Sequence, residues 1–121
     1  MDTLLLLELI DNLTEALAQL EQAKDDTLAT LDAIDAVNEA LIALGGESVE
    51  AIVTDYTALL KQIVNDEINL FESKEKMQEL ELAVNTLNTE SIDEDTKSLI
   101  IEALRNATRQ IAVANNYVAL D

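Results

Sequence analysis

The sequence predicts an all-α protein: a single helical domain over residues 1–121, arranged as an antiparallel three-helix bundle in which a long helical hairpin is joined by a shorter third helix. Three observations predict this fold. The chain has no proline, its apolar fraction is 49% with only 2% aromatic residues, and its two glycines are adjacent. A chain of 121 residues with this apolar content is long enough for one domain with a core.

The first predicted helix covers about residues 3–44 and carries a seam of residues that step alternately by four and three. The seam consists of Leu6, Ile10, Leu13, Leu17, Leu20, Lys24, Thr27, Leu31, Ile34, Asn38 and Leu41. This heptad spacing is typical of a coiled-coil-like helix. Gly45-Gly46 follows as a C-terminal stop, because glycine commonly occupies the position just beyond a helix.

An alternative places a break near residues 24–27, where Asp26 or Thr27 caps a new helix and the chain forms a four-helix bundle. We rank it second, because no glycine or proline marks the break and the heptad phase continues across it.

Two further helices are predicted over about residues 48–88 and 92–120. The seam of the second is Val49, Ile52, Tyr56, Leu60, Ile63, Glu67, Leu70, Lys74, Met77, Leu80, Val84 and Leu87. That of the third is Ile100, Ala103, Leu104, Ala107, Ile111, Ala114 and Val118. Ser91 and Glu94 have the spacing of a capping box, and the small residues of the third helix suit it to cover the hairpin as a lid.

Folding the first two helices back at the glycines pairs residues whose numbers sum to about 91. The predicted pairs are Leu31 with Leu60, Leu20 with Phe71, and Lys24 with Glu67. The last would be an ion pair that fixes the alignment, the alternative being that both side chains extend into solvent.

The predicted helices differ in length, since about 42 residues span roughly 60 Å and about 29 residues only roughly 40 Å. The third helix would therefore leave the hairpin tip uncovered and available to a partner helix or a second copy. The candidate partner-binding residues are Val37, Leu41, Ile42, Leu44, Val49, Ile52, Val53 and Tyr56. We expect Tyr56 to be the anchor, unless a bent first helix closes the tip on itself.

Composition argues against catalysis and against cofactors. The absence of cysteine and histidine removes the usual nucleophiles, general bases, zinc ligands and haem ligands. Asp93-Glu94-Asp95 begins like a calcium loop, but Lys97 and Leu104 occupy positions where ligands belong. We therefore expect no enzyme activity, no metal and no small-molecule substrate.

Charge excludes a second class of function. The formal charge is −18, and residues 1–60 contribute 13 acids and one base, or −12. Such a surface repels nucleic acid and would steer a basic partner toward the first half of the chain. No apolar run approaches the roughly 18 residues of a membrane span. The start lacks the basic region of a signal peptide, so the prediction is a soluble, cytoplasmic protein of bacterial or viral type.

These observations predict a non-enzymatic helical protein–protein interaction module. Its size, acidity and antiparallel helices, with Asn65-Asp66-Glu67-Ile68-Asn69-Leu70 before Lys74, loosely resemble flagellar and type III export chaperones, which implies an adaptor that binds a partner helix. No diagnostic motif accompanies the resemblance. The alternative is a structural coiled-coil component of a phage particle or filament, and a third class is an acidic mimic of nucleic acid.

Overall fold

The computed structural model describes residues 3–23, 26–65, 67–87 and 92–114 and confirms the all-α class. These residues form five helices and no strand. The helices are α1 (Thr3–Ala23), α2 (Thr27–Gly45), α3 (Glu47–Val64), α4 (Leu70–Asn85) and α5 (Glu94–Ala114).

The prediction of an uninterrupted helix over 3–44 is wrong, because α1 ends at Ala23 and α2 begins at Thr27. Asp26 starts α2 as its N-cap, with its side chain accepting a hydrogen bond from the Ala29 amide at 3.1 Å. The boundary therefore lies where the alternative placed it. The predicted Lys24–Glu67 ion pair lies outside the described residues, since Lys24 is not among them.

The prediction of an uninterrupted helix over 48–88 is also wrong, so the chain does not form the alternative four-helix bundle either. The amide of Asn65 donates to the Lys61 carbonyl at 3.0 Å and closes α3. The side chain of Asn69 accepts from the Glu72 amide at 2.7 Å and opens α4. The two asparagines therefore serve as stop and start signals.

The turn at Gly45-Gly46 lies where the sequence predicts it. Gly46 has φ +75° and ψ −164°, a backbone conformation that is essentially restricted to glycine, and its amide donates to Ile42 at 2.7 Å. A Cβ on Gly45 would collide with Val49 and lie 3.0 Å from Ile100. The turn brings α2 and α3 together as antiparallel neighbours, which an ion pair between Asp35 and Lys61 links.

The predicted register of the long hairpin is wrong, because α1 folds back on α2. Only three residues separate α1 from α2 and the two helices pack together along their length, so they are antiparallel neighbours. In the described part of the chain, no Cα atom of α1 comes within 8 Å of α3 or α4. Leu20 is accordingly buried in the core while its predicted partner Phe71 is 86% exposed.

The last helix contacts each of the other four helices of the described residues. Five residues of its predicted seam are buried: Ile100, Ala103, Leu104, Ala107 and Ile111. α5 begins at Glu94, with the Lys97 amide donating to Asp93 at 2.9 Å. The predicted cap Ser91 and the predicted extension over 115–120 lie outside the described residues.

Candidate functional site

The structure places most of the predicted partner-binding tip inside the core. Six of the eight residues are buried, with exposed fractions of 3% or less: Val37, Leu41, Leu44, Val49, Val53 and Tyr56. Only Ile42 and Ile52 are half-buried. The expectation that this end of the hairpin is uncovered is therefore wrong.

The cover at this end is α5. Its first half passes the bend, where Ile100 lies beside Gly45, and it runs on along α3 to Thr108, which bonds Tyr56. The predicted uncovered tip depends on two uninterrupted helices of about 40 residues each, over 3–44 and 48–88. Because each of them divides into two shorter helices, α5 is as long as the helices that it covers.

Exposed apolar side chains lie instead near the start of α1. The exposed fraction is 75% for Leu4, 47% for Leu5 and 54% for Leu7. At 100° per residue, Leu4 and Leu7 lie opposite the buried residues Leu13 and Leu20. These leucines therefore point away from the core of this molecule.

Acidic side chains continue the same face of α1. Asp11 and Glu15 are exposed and lie seven and eleven residues after Leu4, which places them within about 20° of it around the helix axis. We call Leu4, Leu7, Asp11 and Glu15 the α1 outer face. Acids recur throughout α1 and α2, which have seven and no base: Glu8, Asp11, Glu15, Glu21, Asp32, Asp35 and Glu39.

A second candidate site is a cleft of about 450 Å³ between α3, α4 and α5, here called the Tyr56 cleft. α3 contributes Tyr56. The remaining lining residues come from the other two helices: Lys74, Met77, Gln78 and Glu81 from α4, and Arg105, Thr108 and Arg109 from α5. The cleft therefore combines side chains that are distant in the sequence.

Two buried hydroxyl groups lie at the floor of the Tyr56 cleft. The Thr108 Oγ1 is 2.8 Å from the Leu104 carbonyl, to which it donates its proton, and 3.3 Å from the Tyr56 hydroxyl. The two hydroxyl groups are hydrogen-bonded to each other, and the Thr108 Oγ1 also lies 3.9 Å from the Met77 Sδ. Burial raises the pKa of Tyr56 to about 12, and the charge of Glu81 acts in the same direction.

An ion pair crosses the cleft between α4 and α5. Arg105 donates from Nε to Glu81 Oε1 at 3.1 Å and from Nη2 to Oε2 at 3.4 Å, a two-bonded arrangement that suits the planar guanidinium. The hydrogen bond and charge of Glu81 raise the pKa of Arg105 above its ordinary value. Glu81 is thereby held in place beside Tyr56.

Two further cations line the cleft without an ion pair to any acid that the structure describes. Neither Lys74 nor Arg109 forms an ion pair within 4.0 Å with any acid of the described residues. With Arg105 they give the lining three positive charges against the single negative charge of Glu81. The cleft is thus a cationic site in a protein of net charge −18.

Sequence reasoning missed this site, although it left a signal. Arg105 and Arg109 are four residues apart and share a helix face, as do Lys74, Gln78 and Glu81. Their approach could not be foreseen, because it depends on α4 folding back against α3 and α5. In the sequence, Lys74 is one of the charged positions of the seam predicted over about 48–88.

The described residues contain neither a candidate metal site nor a helix that could span a membrane. Within residues 3–23, 26–65, 67–87 and 92–114, no three Asp or Glu side chains are placed to hold a metal ion together. None of the helices in those ranges combines the length and the apolar character needed to cross a bilayer.

Comparison with known proteins assigns no function to either candidate site, and the resemblance to export chaperones stays a prediction. No family model, no curated protein and no solved structure matches the chain.

Proposed function

We propose that the protein is a non-enzymatic interaction module that binds a basic amphipathic helix of a partner protein on the α1 outer face. One observation carries the proposal. Leu4 and Leu7 are more than half exposed and are followed on the same face by Asp11 and Glu15, in a helix without any base. The leucines can pack against apolar side chains of a partner helix, and the acids on the same face can pair with lysine or arginine further along that helix.

The leucines would supply the affinity in such a complex. Complete burial of one exposed leucine side chain stabilises by about 1.5–3 kcal/mol, so Leu4 and Leu7, which are 75% and 54% exposed, together provide a few kcal/mol. The loss of translational and rotational freedom on binding costs about 4–15 kcal/mol, so the apolar stripe of the partner helix has to contribute as well. We therefore expect a weak complex.

The acids would supply orientation and rate more than affinity. Charges at the rim of an interface accelerate encounter with an oppositely charged partner and disfavour partners of like charge. The seven acids of α1 and α2 therefore favour a basic partner. They also oppose a second copy of this chain, since each copy carries −18.

The test measures binding of a labelled helical peptide that has a leucine stripe flanked by lysines, by fluorescence anisotropy. Leu4→Gln with Leu7→Gln should abolish saturable binding, whereas Asp11→Asn with Glu15→Gln should weaken it and reduce its salt dependence. The matched control is Leu82→Gln, which changes a leucine of α4 that is 64% exposed and should leave binding unchanged.

The control separates a specific surface from general attraction to an acidic protein. Equal binding by the wild type and by the Leu4/Leu7 variant would refute the proposal, and so would an equal loss on changing Leu82. Sedimentation in the absence of peptide tests the structural alternative. Open-ended assembly that the Leu4/Leu7 changes abolish would favour a filament or particle component and count against the module.

A further inference from the structure

We infer that the Tyr56 cleft binds a small organic phosphate monoester, whose phosphate group is held between Lys74, Arg109 and the unpaired Nη1 edge of Arg105. This inference concerns the α3–α4–α5 side of the molecule. It is independent of the proposed binding surface on α1.

The distribution of positive charge is the first argument. The chain has only seven lysines and arginines, and three of them line this one cleft. Elsewhere, Lys61 is paired with Asp35, and the buried Lys97 donates to the Asn85 carbonyl at 3.1 Å. Lys74 and Arg109 form no ion pair with any acid in the described part of the chain, and they line the cleft from two different helices, α4 and α5.

The size of the charge identifies the class of anion. Three cations and Glu81 leave a lining charge of about +2, which a phosphate monoester of about −1.5 to −2 neutralises near pH 7. A carboxylate or sulfate ester carries only one negative charge. Arginine also suits phosphate, because its planar donors match two phosphate oxygens at once.

The volume and the floor indicate an organic ligand instead of inorganic phosphate. A cleft of about 450 Å³ lies within the range of small-molecule sites, roughly 300–1,000 Å³, and is much larger than one phosphate group. Met77 provides an apolar contact at the floor. The hydrogen-bonded hydroxyls of Tyr56 and Thr108 add two polar groups to the lining beside it.

The experiment is an amide chemical-shift titration of the whole protein by NMR with three probes: phenyl phosphate, phenyl sulfate and inorganic phosphate. Phenyl phosphate should give saturable shifts at residues 74–81 and 105–109. Phenyl sulfate has the same shape and one charge less, so it should bind about tenfold more weakly or worse. Inorganic phosphate should also bind more weakly, because it makes no contact with Met77.

Single substitutions connect binding to the cleft. Lys74→Gln and Arg109→Gln should each weaken the binding of phenyl phosphate by about tenfold, because each removes one charge-assisted hydrogen bond to the phosphate. The matched control is Lys76→Gln, since Lys76 is on the same helix as Lys74 but lines a different depression. Its affinity for phenyl phosphate should equal that of the wild type. Arg109→Lys keeps the positive charge but loses the paired donors of the planar guanidinium. Its affinity for phenyl phosphate should therefore lie between those of the wild type and of Arg109→Gln.

Several results would overturn the inference. Absence of saturable shifts at the cleft would refute the site, and an equal effect of Lys76→Gln would reduce it to general charge attraction. If phenyl sulfate binds as tightly as phenyl phosphate, the site does not require two negative charges. If inorganic phosphate binds as tightly as phenyl phosphate, the site does not recognise the organic part of the ligand.

Discussion

A single phenol links three helices at the floor of the cationic cleft. Tyr56 belongs to α3, its hydroxyl is hydrogen-bonded to that of Thr108 of α5, and it lies close enough to Glu81 of α4 for that carboxylate to raise its pKa. The residue is only 1% exposed. An ionised Tyr56 would therefore be a poorly solvated negative charge next to another negative charge.

This environment predicts a loss of stability at alkaline pH. The pKa of Tyr56 rises from 10.0 in the unfolded chain to about 12 in the folded protein. Between these values the unfolded state has released a proton that the folded state retains, so the free energy of unfolding falls by about 1.4 kcal/mol per pH unit. Urea denaturation at a series of pH values through this window measures the slope.

Tyr56→Phe isolates the contribution of this phenol. The variant cannot ionise at this position, so its stability should decline less steeply than that of the wild type over the same pH range. Tyr117→Phe is the control, because it removes the only other tyrosine of the chain. Identical slopes for wild type and Tyr56→Phe would contradict the assigned pKa.

The helix ends show how far the sequence predicts this fold. The all-α class, the turn at Gly46 and the buried face of α5 were all readable from apolar spacing and glycine placement. The break at Asp26 is only the second-ranked prediction and the break at Asn69 is not predicted at all, because the heptad phase continues across both. The phase continues because the helices on either side of each break face the same core, so apolar spacing alone does not reveal a reversal of the chain.

A local signal for one break was present. Asn69 is followed three residues later by Glu72, which is the spacing of an N-cap and its third helical residue.

The missed reversals also explain the error in the predicted binding site. Uninterrupted long helices leave an uncovered tip, whereas shorter helices bring α5 over the same residues.

The role of Asn69 as a helix start can be tested by removing its side-chain oxygen. Asn69→Ala should lower the free energy of unfolding by about 1 kcal/mol, since the Glu72 amide loses its acceptor. Asn12→Ala is a matched control, because Asn12 is an exposed residue in the interior of α1, where alanine is the better helix former. Urea denaturation of both variants should show a loss for the first and none for the second. Equal effects would show that Asn69 is not a cap.

At the scale of the whole molecule, α5 contacts both peripheral helices, α1 and α4, as well as the α2–α3 pair between them. α1 packs on α2 and α5, α4 packs on α3 and α5, and within the described residues α1 and α4 make no close approach to each other. This arrangement was not predictable from periodicity, because a buried helix face does not identify the helices that cover it. The two candidate surfaces, acidic on α1 and cationic around Tyr56, consequently lie on separate parts of the fold.

A central α5 predicts that the peripheral helices lose stability together when its core is damaged. Leu104 is fully buried in α5, and Leu104→Ala should lower the free energy of unfolding by about 2–5 kcal/mol through lost burial and a cavity. Because α5 contacts both α1 and α4, hydrogen exchange of their core amides should accelerate by the same factor, as expected for one cooperative unit. Leu82→Ala truncates a leucine that is 64% exposed and should leave exchange in both helices nearly unchanged. If the Leu104 variant loses protection in α4 while α1 and α2 keep theirs, the α1–α2 hairpin is a separate folding unit and the central role of α5 is refuted.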